Sequence, residues 1–376
     1  MRVLIVGAGV GGLAAARALS ADGHEVTVFE HADTLRTTGA AVTLWSNGTA
    51  VLHALGVSYE GLGAPIDVLG VQRGTDGRKL MDVVVGRAAA HYGFPNRSMP
   101  RRHLIQRLAQ DLPADMVRFG KRAVGATQDP DGATVEFADG SSAVGDLVVG
   151  ADGGRSVVRE AVIGPDPTRP SGWATWQGLT PIDIETTRSR RGLMIVGREG
   201  MCGLLPAGDG LLQWWFDARW EAGAPQPASV MAMLKEQFGH WASPVVEILA
   251  AADDSQVEFF AHRRQKVTHG WSKGRLVLLG DAAHTMPPTV AQGANQALED
   301  AWALARGLRL APGDLRAGLA EYERSRFKGA RLTARVAGSE MTDKYLPAPS
   351  LLTPDALVSR FYTRWLKMVS TILREG

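Results

Sequence analysis

The amino-acid sequence predicts a mixed α/β fold, in which a helix-covered parallel sheet is interrupted by a mostly antiparallel β-sheet domain and followed by C-terminal helices. An apolar run at residues 3–6 leads through a glycine-rich turn into an alanine-rich helical segment and a second strand at 25–29. Between 166 and 269, strand-like segments alternate with glycine and proline turns. Apolar residues then recur at helical spacing over 315–336 and 356–373.

Composition limits the function classes open to the chain. Its 376 residues are enough for two domains, and a formal net charge of +2 gives no reason to expect a nucleic-acid partner. The histidines are scattered without metal-ligand spacing, and Cys202 is the only cysteine, which excludes an internal disulfide. No apolar run reaches membrane-spanning length and no signal peptide is recognised before the first strand. We expect a cytoplasmic protein with no metal site and no membrane anchor.

The first glycine-rich turn lies in the order strand, turn, helix, strand and acid that is typical of a dinucleotide-binding unit. Gly7 permits the tight turn, Gly9 lets the backbone approach a pyrophosphate, and Gly12, after Gly11, lets the helix pack closely on the strand. Glu30 ends the second strand, where a carboxylate accepts hydrogen bonds from ribose hydroxyls and disfavours a 2′-phosphate. The expected dinucleotide is therefore FAD or NAD. A glycine-rich turn in another α/β protein is the alternative.

The middle of the chain leaves this pattern and returns to it. Strand-like alternation over 68–85, with a turn at 75–77, predicts a first excursion, and a helix over 96–112 marks the return. The longer excursion, 166–269, carries aromatic residues on predicted strands and a helix at 230–238. Three of these aromatics are Trp214, Trp215 and Phe216. They either pack within the sheet or form a wall of the substrate site, and both interpretations remain open.

Two further motifs each follow an apolar strand. After the strand at 147–150 the chain reads ADGGRSVVR, beginning at Ala151, and a strand-to-helix turn with a capping aspartate is the alternative interpretation. After the strand at 275–279 it reads GDAAHTMPPTVAQGAN, beginning at Gly280. His284 in this motif is expected to be structural.

Taken together and in this order, GAGVGG with Glu30, DGGRSVVR and GDAAHTMPPTVAQGAN resemble the FAD-dependent aromatic hydroxylases, the group A single-component flavoprotein monooxygenases of the para-hydroxybenzoate hydroxylase type. The resemblance covers most of the chain, although the inserted β domain matches only in pattern. It implies a Rossmann-like FAD-binding domain with an inserted substrate domain. The predicted boundaries are 1–70, 98–165 and 270–330 for the discontinuous FAD-binding domain, 71–97 and 166–269 for the substrate-binding β domain, and 331–376 for the C-terminal helical segment.

The resemblance also implies cofactor contacts. Asp152 would serve FAD, Asp281 would hold the ribityl hydroxyls, and Pro288 would line the flavin ring. Gln292 and Gly293 would begin a helix whose N-terminus points at the flavin N1 and C2 carbonyl, where its dipole stabilises negative charge. The remaining cofactor-binding candidates are Arg36, Arg101, Ala294 and Asn295.

One residue departs from the family pattern. The family usually has glycine before the Gln-Gly pair, and this chain has Ala291. If the position needs a positive φ, alanine is costly there and the loop follows a different path over the flavin.

The implied chemistry is that of the cofactor. NADPH or NADH reduces FAD, O₂ adds to give a C4a-hydroperoxide, and oxygen passes to an aromatic or polyketide-like small molecule. No residue stands out as a general base. Met286 joins the three strand aromatics as a substrate-binding candidate, in the loop 286–289.

Several alternatives remain open at this stage. An epoxidase, oxidase or reductase of the same fold would carry the same motifs, and so would a non-catalytic flavin-binding protein. The choice between NADH and NADPH and between monomer and homodimer is also open. Five residues of the last amphipathic helix are predicted to form an apolar stripe that packs on the body or on a second subunit: Phe361, Trp365, Met368, Val369 and Ile372.

Overall fold

The structure is a computed structural model that describes residues 1–35, 40–338 and 353–375. The strands of the N-terminal part are β1 (Arg2–Val6), β2 (Glu25–Phe29), β3 (Ala41–Leu44), β4 (Ala64–Pro65), β5 (Val68–Arg73), β6 (Lys79–Val83), β7 (Arg97–Pro100), β8 (Val117–Arg118), β9 (Ala123–Gln128), β10 (Ala133–Phe137), β11 (Ser142–Gly145) and β12 (Leu147–Gly150). Its helices are α1 (Val10–Ala21), α2 (Ser46–Ala54), α3 (Gly86–Tyr92), α4 (Arg101–Ala109) and α5 (Val157–Val162).

The C-terminal part contains long antiparallel strands followed by helices. Its strands are β13 (Arg169–Pro181), β14 (Arg191–Gly197), β15 (Gly200–Gly208), β16 (Leu211–Arg219), β17 (Glu258–Arg264), β18 (Ser272–Lys273) and β19 (Leu276–Leu278). Its helices are α6 (Glu185–Arg188), α7 (Val230–Phe238), α8 (Val245–Ala251), α9 (Asp281–His284), α10 (Gly293–Leu310), α11 (Leu315–Gly338), α12 (Asp355–Val369) and α13 (Ile372–Glu375).

A six-stranded sheet in the order β18-β19-β12-β1-β2-β8 forms the first core, and all its pairings are parallel except β18 with β19. Its central strands are apolar because helices cover the sheet. Val6 of β1 pairs with Gly150 of β12, which pairs in turn with Leu278 of β19. Three strands from distant parts of the chain therefore end side by side at one edge.

The second core is a seven-stranded sheet in the order β17-β13-β16-β15-β14-β5-β6, antiparallel except for β14 with β5. Helices α7 and α8 cover one face of it through a buried cluster that includes Trp176 and Phe238. The other face meets a small sheet in the order β3-β7-β4, where the Gln213 side chain accepts a hydrogen bond from Ser98 of β7 and Glu258 accepts one from the backbone of Ala40, just before β3. The predicted mixed α/β fold is confirmed, while the exact domain boundaries stay a prediction.

Two element predictions need correction. Residues 97–100 form β7 rather than the start of a helix, because the residue before Pro100 is biased towards extended backbone, and α4 begins only at Arg101. The last helix ends at Val369, and a separate turn, α13, follows the extended residue Ser370.

The apolar stripe predicted for the last helix is also wrong in part. Phe361 and Met368 are 70% and 56% exposed, whereas Leu366 and Val369 are fully buried. Of the predicted stripe, Val369 is therefore buried and Trp365 and Ile372 are half-buried against the body, whereas Phe361 and Met368 face away from it. None of the helices within the described ranges is long and apolar enough to cross a membrane.

Candidate active site

The three motifs meet at the edge formed by the carboxyl ends of β1, β12 and β19. In parallel α/β sheets, ligands bind in the crevice outside this edge. Backbone hydrogen bonds tie the three segments together there: the Gly7 N–H donates to Phe29 O at 2.8 Å, Ala151 N–H to Val6 O at 2.9 Å, and Leu279 N–H to Gly150 O at 3.0 Å. The sheet register therefore brings together segments that are more than a hundred residues apart in sequence.

The glycines of the first turn differ in what surrounds them. Gly7 has φ +104°, and a Cβ there would lie 2.5 Å from the carbonyl oxygen of Ala151. A Cβ at Gly12 would overlap the carbonyl oxygen of Gly7, and one at Gly11 would lie 2.6 Å from the Leu279 side chain. A Cβ at Gly9, the residue that caps α1, would meet no protein atom within 4 Å. Gly7 and Gly12 therefore need glycine for the fold, a Cβ at Gly11 would require the Leu279 side chain to shift, and Gly9 borders open space.

Glu30 lies at the end of β2 and holds this turn. Its Oε2 accepts a hydrogen bond from the Ala8 N–H at 2.8 Å, and its Oε1 accepts one from Ala32 N–H at 3.0 Å. The carboxylate is 9% exposed. Oε1 also lies 2.7 Å from the His31 Nδ1, so Oε2 is the oxygen that retains acceptor capacity for a ribose hydroxyl beside the N-terminus of α1.

Asp152 follows β12 and is only partly satisfied by the protein. Its Oδ2 accepts a hydrogen bond from the Val157 N–H at 2.8 Å, while its buried Oδ1 has no hydrogen-bond partner among the described residues. Burial raises the pKa of this carboxyl group. A buried acceptor without a partner is costly, so a donor from a bound molecule is the natural complement.

Arg159 connects the second motif with the third. Its side chain is fully buried. Nη1 donates to the backbone oxygens of Asp281 and Ala282 at 3.3 and 3.4 Å, and Nη2 donates to Gly154 O at 2.7 Å and to an oxygen of Asp166 at 2.9 Å. The arginine therefore fixes the two motif segments relative to each other.

Asp281 begins α9 with an exposed side chain. Burial of its surroundings raises the pKa of its carboxyl group, against the opposing positive charges of His284, Arg101 and Arg159. Because the Asp281 side chain is exposed while its surroundings are densely packed, it lines a cleft. Arg101, one of these charges, is the first residue of α4, while the candidate Arg36 lies outside the described residues.

The segment before α10 is held by amide side chains. Asn295 is fully buried, and its side chain accepts from the Trp45 N–H at 2.9 Å and donates to the carbonyl oxygens of Thr43 and Ala291 at 3.0 and 2.9 Å. Asn295 is thus committed to the protein, and a contact with a cofactor would have to come from its backbone. Ala291 has φ 48° and ψ 38°, so this position does take the left-handed conformation that favours glycine.

Gln292 caps α10 and is also fully buried. Its Oε1 accepts hydrogen bonds from Asn47 at 3.1 Å and from Gln296 at 3.2 Å. Beyond it, the backbone at Gly293 has open space, because a Cβ there would meet nothing within 4 Å, and Ala294 packs partly against the first core. In the preceding loop Pro288 is exposed. The helix start is therefore fixed through side chains while its backbone stays accessible.

Of the aromatic residues on β16, Trp214 and Phe216 are fully buried on the face covered by α7 and α8, and Phe216 lies 4.9 Å from Phe238 between ring centroids. This corrects the expectation that both line the substrate site. Trp215 alternates to the opposite face and is half-buried. Met286 is 6% exposed.

Trp215 packs against a buried group that we call the Trp45 cluster. Its buried members are Trp45, Ala50, Ile66, Val85, Ala88, Leu205, Leu366, Val369 and Leu373, and half-buried residues packed against it include Trp215, Ala291, Tyr362 and Trp365. The cluster joins α2, the seven-stranded sheet, the loop before α10 and the C-terminal helix α12.

The sequence interpretation missed several residues of this region. Trp45, Asn47 and Gln296 bind the loop before α10, and Tyr362 and Trp365 reach it from α12. The only local signal is the polar stretch that begins at Ser46, on a helix that is otherwise apolar. Contacts across 250 residues of sequence leave no periodic trace. No group of three or more metal-ligating side chains occurs among the residues that the structure describes.

Comparisons with known proteins agree with this geometry. A family profile described as "FAD binding domain" matches residues 1–336. The chain is 32% identical over 335 residues to the FAD-dependent urate hydroxylase of Klebsiella pneumoniae, covering 88% of this chain and 87% of that protein. It is 33% identical over 360 residues to the 3-amino-4-hydroxybenzoate 2-monooxygenase PtnB3 of Streptomyces platensis, covering 92% and 89%.

A solved structure is similar over the whole chain. The crystal structure of Klebsiella pneumoniae HpxO complexed with FAD and uric acid superimposes with a TM-score of 0.84 at 29% identity, covering 100% of this chain and 95% of that one. The chain therefore belongs to the FAD-binding family of group A single-component flavoprotein monooxygenases that its three motifs resemble.

Proposed function

We propose that this protein is a monooxygenase that uses FAD, NADPH or NADH, and O₂ to hydroxylate a small aromatic or polyketide-like molecule. The observation that carries the proposal is the meeting of the three motifs at the carboxyl ends of β1, β12 and β19. The relatives support it, since their names describe hydroxylation of urate and of an aminohydroxybenzoate.

The residues at this edge fit FAD in chemistry and in shape. Open space at Gly9, at the start of α1, suits a pyrophosphate, because the free N–H groups of a helix N-terminus bind anions. Oε2 of Glu30 suits the adenosine ribose. Asp152, with its unpartnered Oδ1, and Asp281, exposed in the cleft, supply acceptors for hydroxyl groups of the cofactor.

FAD bound here would supply the redox chemistry, which is hydride acceptance from the nicotinamide and activation of O₂. The chain's own task is to orient the reactants, exclude water and stabilise charge. The N-terminus of α10 presents N–H groups and the positive end of a long helix dipole, which suit the negative charge of a reduced flavin. Asn47 and Gln296 hold Gln292 so that this helix start keeps its position.

The substrate region follows from the same arrangement. Trp215 offers half-buried apolar surface that packs against the buried Trp45 cluster, next to the loop before α10, and the buried Met286 lies on that loop. Aromatic walls of this kind bind flat rings and keep water out. We assign no acid–base residue, because a phenolic ring activates itself once it is deprotonated.

The test is oxygen incorporation. Protein loaded with FAD would be supplied with NADPH or NADH and ¹⁸O₂ in the presence of phenols, quinones and N-heteroaromatic compounds. Substrate-stimulated NAD(P)H oxidation with ¹⁸O in a ring hydroxyl is the expected result. Label in an oxirane would instead identify an epoxidase, and turnover without label an oxidase or reductase. Tight FAD binding without substrate-stimulated oxidation would identify a non-catalytic flavin-binding protein.

A further inference from the structure

Two polar atoms on the C-terminal helix α12 are buried without partners. They are the hydroxyl oxygen of Tyr362 and the indole Nε1 of Trp365, and neither has a hydrogen-bond partner in the described structure. Tyrosine hydroxyls and tryptophan N–H groups normally find a partner when they are buried, because each loses its hydrogen bonds to water. Two such donors one helical turn apart therefore call for an explanation.

The surroundings of these atoms belong to the Trp45 cluster. The Tyr362 ring lies 6.0 Å from the Trp45 ring and 6.1 Å from the Trp365 ring, between centroids. Trp45 donates from its own Nε1 to the carbonyl oxygen of Val290, in the loop before α10. Tyr362 and Trp365 are half-buried, and their two polar atoms are shielded from bulk water. The unpartnered donors thus stand at the region where the proposed function places the substrate.

We propose that the Tyr362 hydroxyl and the Trp365 indole N–H bind the substrate by donating hydrogen bonds to acceptor atoms of an uncharged aromatic ring that packs among Trp45, Trp215 and Ala291. This inference rests on the proposed function, because it names the substrate class of that same site. It makes α12 a determinant of specificity, and α12 lies beyond residue 336, where the shared family profile ends.

The preference for an uncharged ring follows from the electrostatics of the site. Burial raises the pKa of the Tyr362 hydroxyl. No cation among the described residues pairs with either donor atom, so an anionic ligand would lose its hydration there without compensation. A carbonyl or ether oxygen, or a ring nitrogen, satisfies the two donors without that cost.

The test is anaerobic titration of FAD-loaded protein, followed by the flavin absorbance, with three phenols. They are 4-hydroxyacetophenone, which carries a neutral acceptor, 4-ethylphenol, which has the same size without one, and 4-hydroxybenzoate, which is anionic. We expect wild-type protein to bind 4-hydroxyacetophenone most tightly. Y362F and W365F should each weaken that binding about tenfold, the equivalent of one hydrogen bond, and leave 4-ethylphenol unchanged.

Y92F is the matched control. The Tyr92 hydroxyl lies nearby but already donates to the carbonyl oxygen of Thr363 at 2.8 Å, so its removal should not alter the preference among the three phenols. If one phenylalanine variant fails to fold, the other variant and the ¹⁵N-labelled indole resonance of Trp365 in wild-type protein decide. That resonance should shift with 4-hydroxyacetophenone and not with 4-ethylphenol.

Three results would overturn the inference: equal affinities of wild type, Y362F and W365F for 4-hydroxyacetophenone, a wild-type preference for 4-hydroxybenzoate, or no binding of any of the three phenols. These titrations need no turnover, so they are independent of the ¹⁸O₂ experiment. Failure of oxygen incorporation with intact, donor-dependent binding would count against the proposed function and not against the ligand class.

Discussion

Arg326 of α11 and Asp300 of α10 form a fully buried ion pair in which the guanidinium Nε donates to Oδ1 at 2.7 Å. The other carboxylate oxygen accepts from the His284 ring at 2.6 Å and from the Gly280 N–H at 2.8 Å. The same arginine donates to the Gln296 side chain, which in turn donates to Gln292. One buried network therefore links the strand end before Asp281 to the start of α10.

The first prediction concerns the arginine of this network. R326M should lower the free energy of unfolding by about 3–5 kcal/mol, because it leaves the buried carboxylate of Glu299 without its cation and that of Asp300 with His284 alone. It should also weaken FAD binding, since Gln296 loses its anchor. Denaturant unfolding and FAD titration measure the two effects.

The matched control is R324M, whose arginine is 75% exposed and pairs with Glu321 on the surface. Its expected cost is below about 1 kcal/mol. Equal stabilities of the two variants would contradict the importance of the buried network.

The second prediction concerns acid. Burial opposes the ionisation of Asp300, but the positive charges of His284 and Arg326 outweigh it and lower the pKa of Asp300 to about 2. Because the native pKa lies below that of the unfolded chain, the stabilisation is complete above about pH 4 and is lost as the pH falls towards 2. About 2 kcal/mol of stability should disappear in this window.

The measurement is the unfolding free energy of wild-type protein and D300N, both with saturating FAD, at several pH values between about 5 and 2. The asparagine variant is less stable throughout, but it should lack this part of the acid dependence. A D300N curve parallel to that of the wild type would refute the assignment.

Much of the site was predictable from the sequence, because the carboxyl ends of parallel strands lie at one edge of a sheet. Gly7, Asp152 and Asp281 each follow a buried apolar strand, and parallel strands end at one edge, so the three motifs had to meet once those strands were paired. The helix expected at 230–238 is α7, which Ser229 caps by accepting from the Ala232 N–H.

The sequence did not reveal which part of the chain covers each face of a strand or helix. Alternation on β16 shows that Trp214 and Trp215 point in opposite directions, but not which face α7 and α8 cover. Arg326 looks like a solvent-exposed residue of a charged helix, because its partners lie about 26 residues away on α10. The position of Tyr362 likewise becomes informative only through its ring contact with Trp45, which is far away in the sequence.

The third prediction separates binding from folding in the first glycine turn. G9A should fold normally, because the added methyl group meets no protein atom within 4 Å, but it should weaken FAD binding by about tenfold or more, since the methyl group would occupy the space proposed for the pyrophosphate. G12A should lower stability by about 3 kcal/mol, because its Cβ overlaps the carbonyl oxygen of Gly7.

G125A provides the neutral comparison. Gly125 lies on β9, and a Cβ there would make only an ordinary contact of 3.5 Å with Glu136. Thermal unfolding of the apoprotein and FAD titration of all three variants give the two readouts. Unchanged FAD affinity in G9A would exclude Gly9 from the pyrophosphate site.

The last prediction concerns Ala291, whose φ of 48° places a side chain in the left-handed region directly before Gln292. A291G should remove a strain of about 1–2 kcal/mol, but it also removes a methyl group that packs on the Trp45 cluster, worth about 0.8 kcal/mol. The net change should be a small gain of about 1 kcal/mol or less. A291V should instead lose stability and FAD affinity together, because a β-branched residue resists this conformation and the loop must move.

Asp209 has φ 55° in the turn between β15 and β16, which makes D209G the matched substitution away from the cofactor cleft. It should raise stability by a similar relief of strain without any change in FAD affinity, because the turn is exposed. Thermal unfolding and FAD titration of A291G, A291V and D209G show whether backbone strain affects FAD binding only in the loop before α10. If A291V bound FAD as tightly as the wild type, the conformation of this residue would not control the start of α10, and the left-handed alanine would be a tolerated departure without consequence for the flavin.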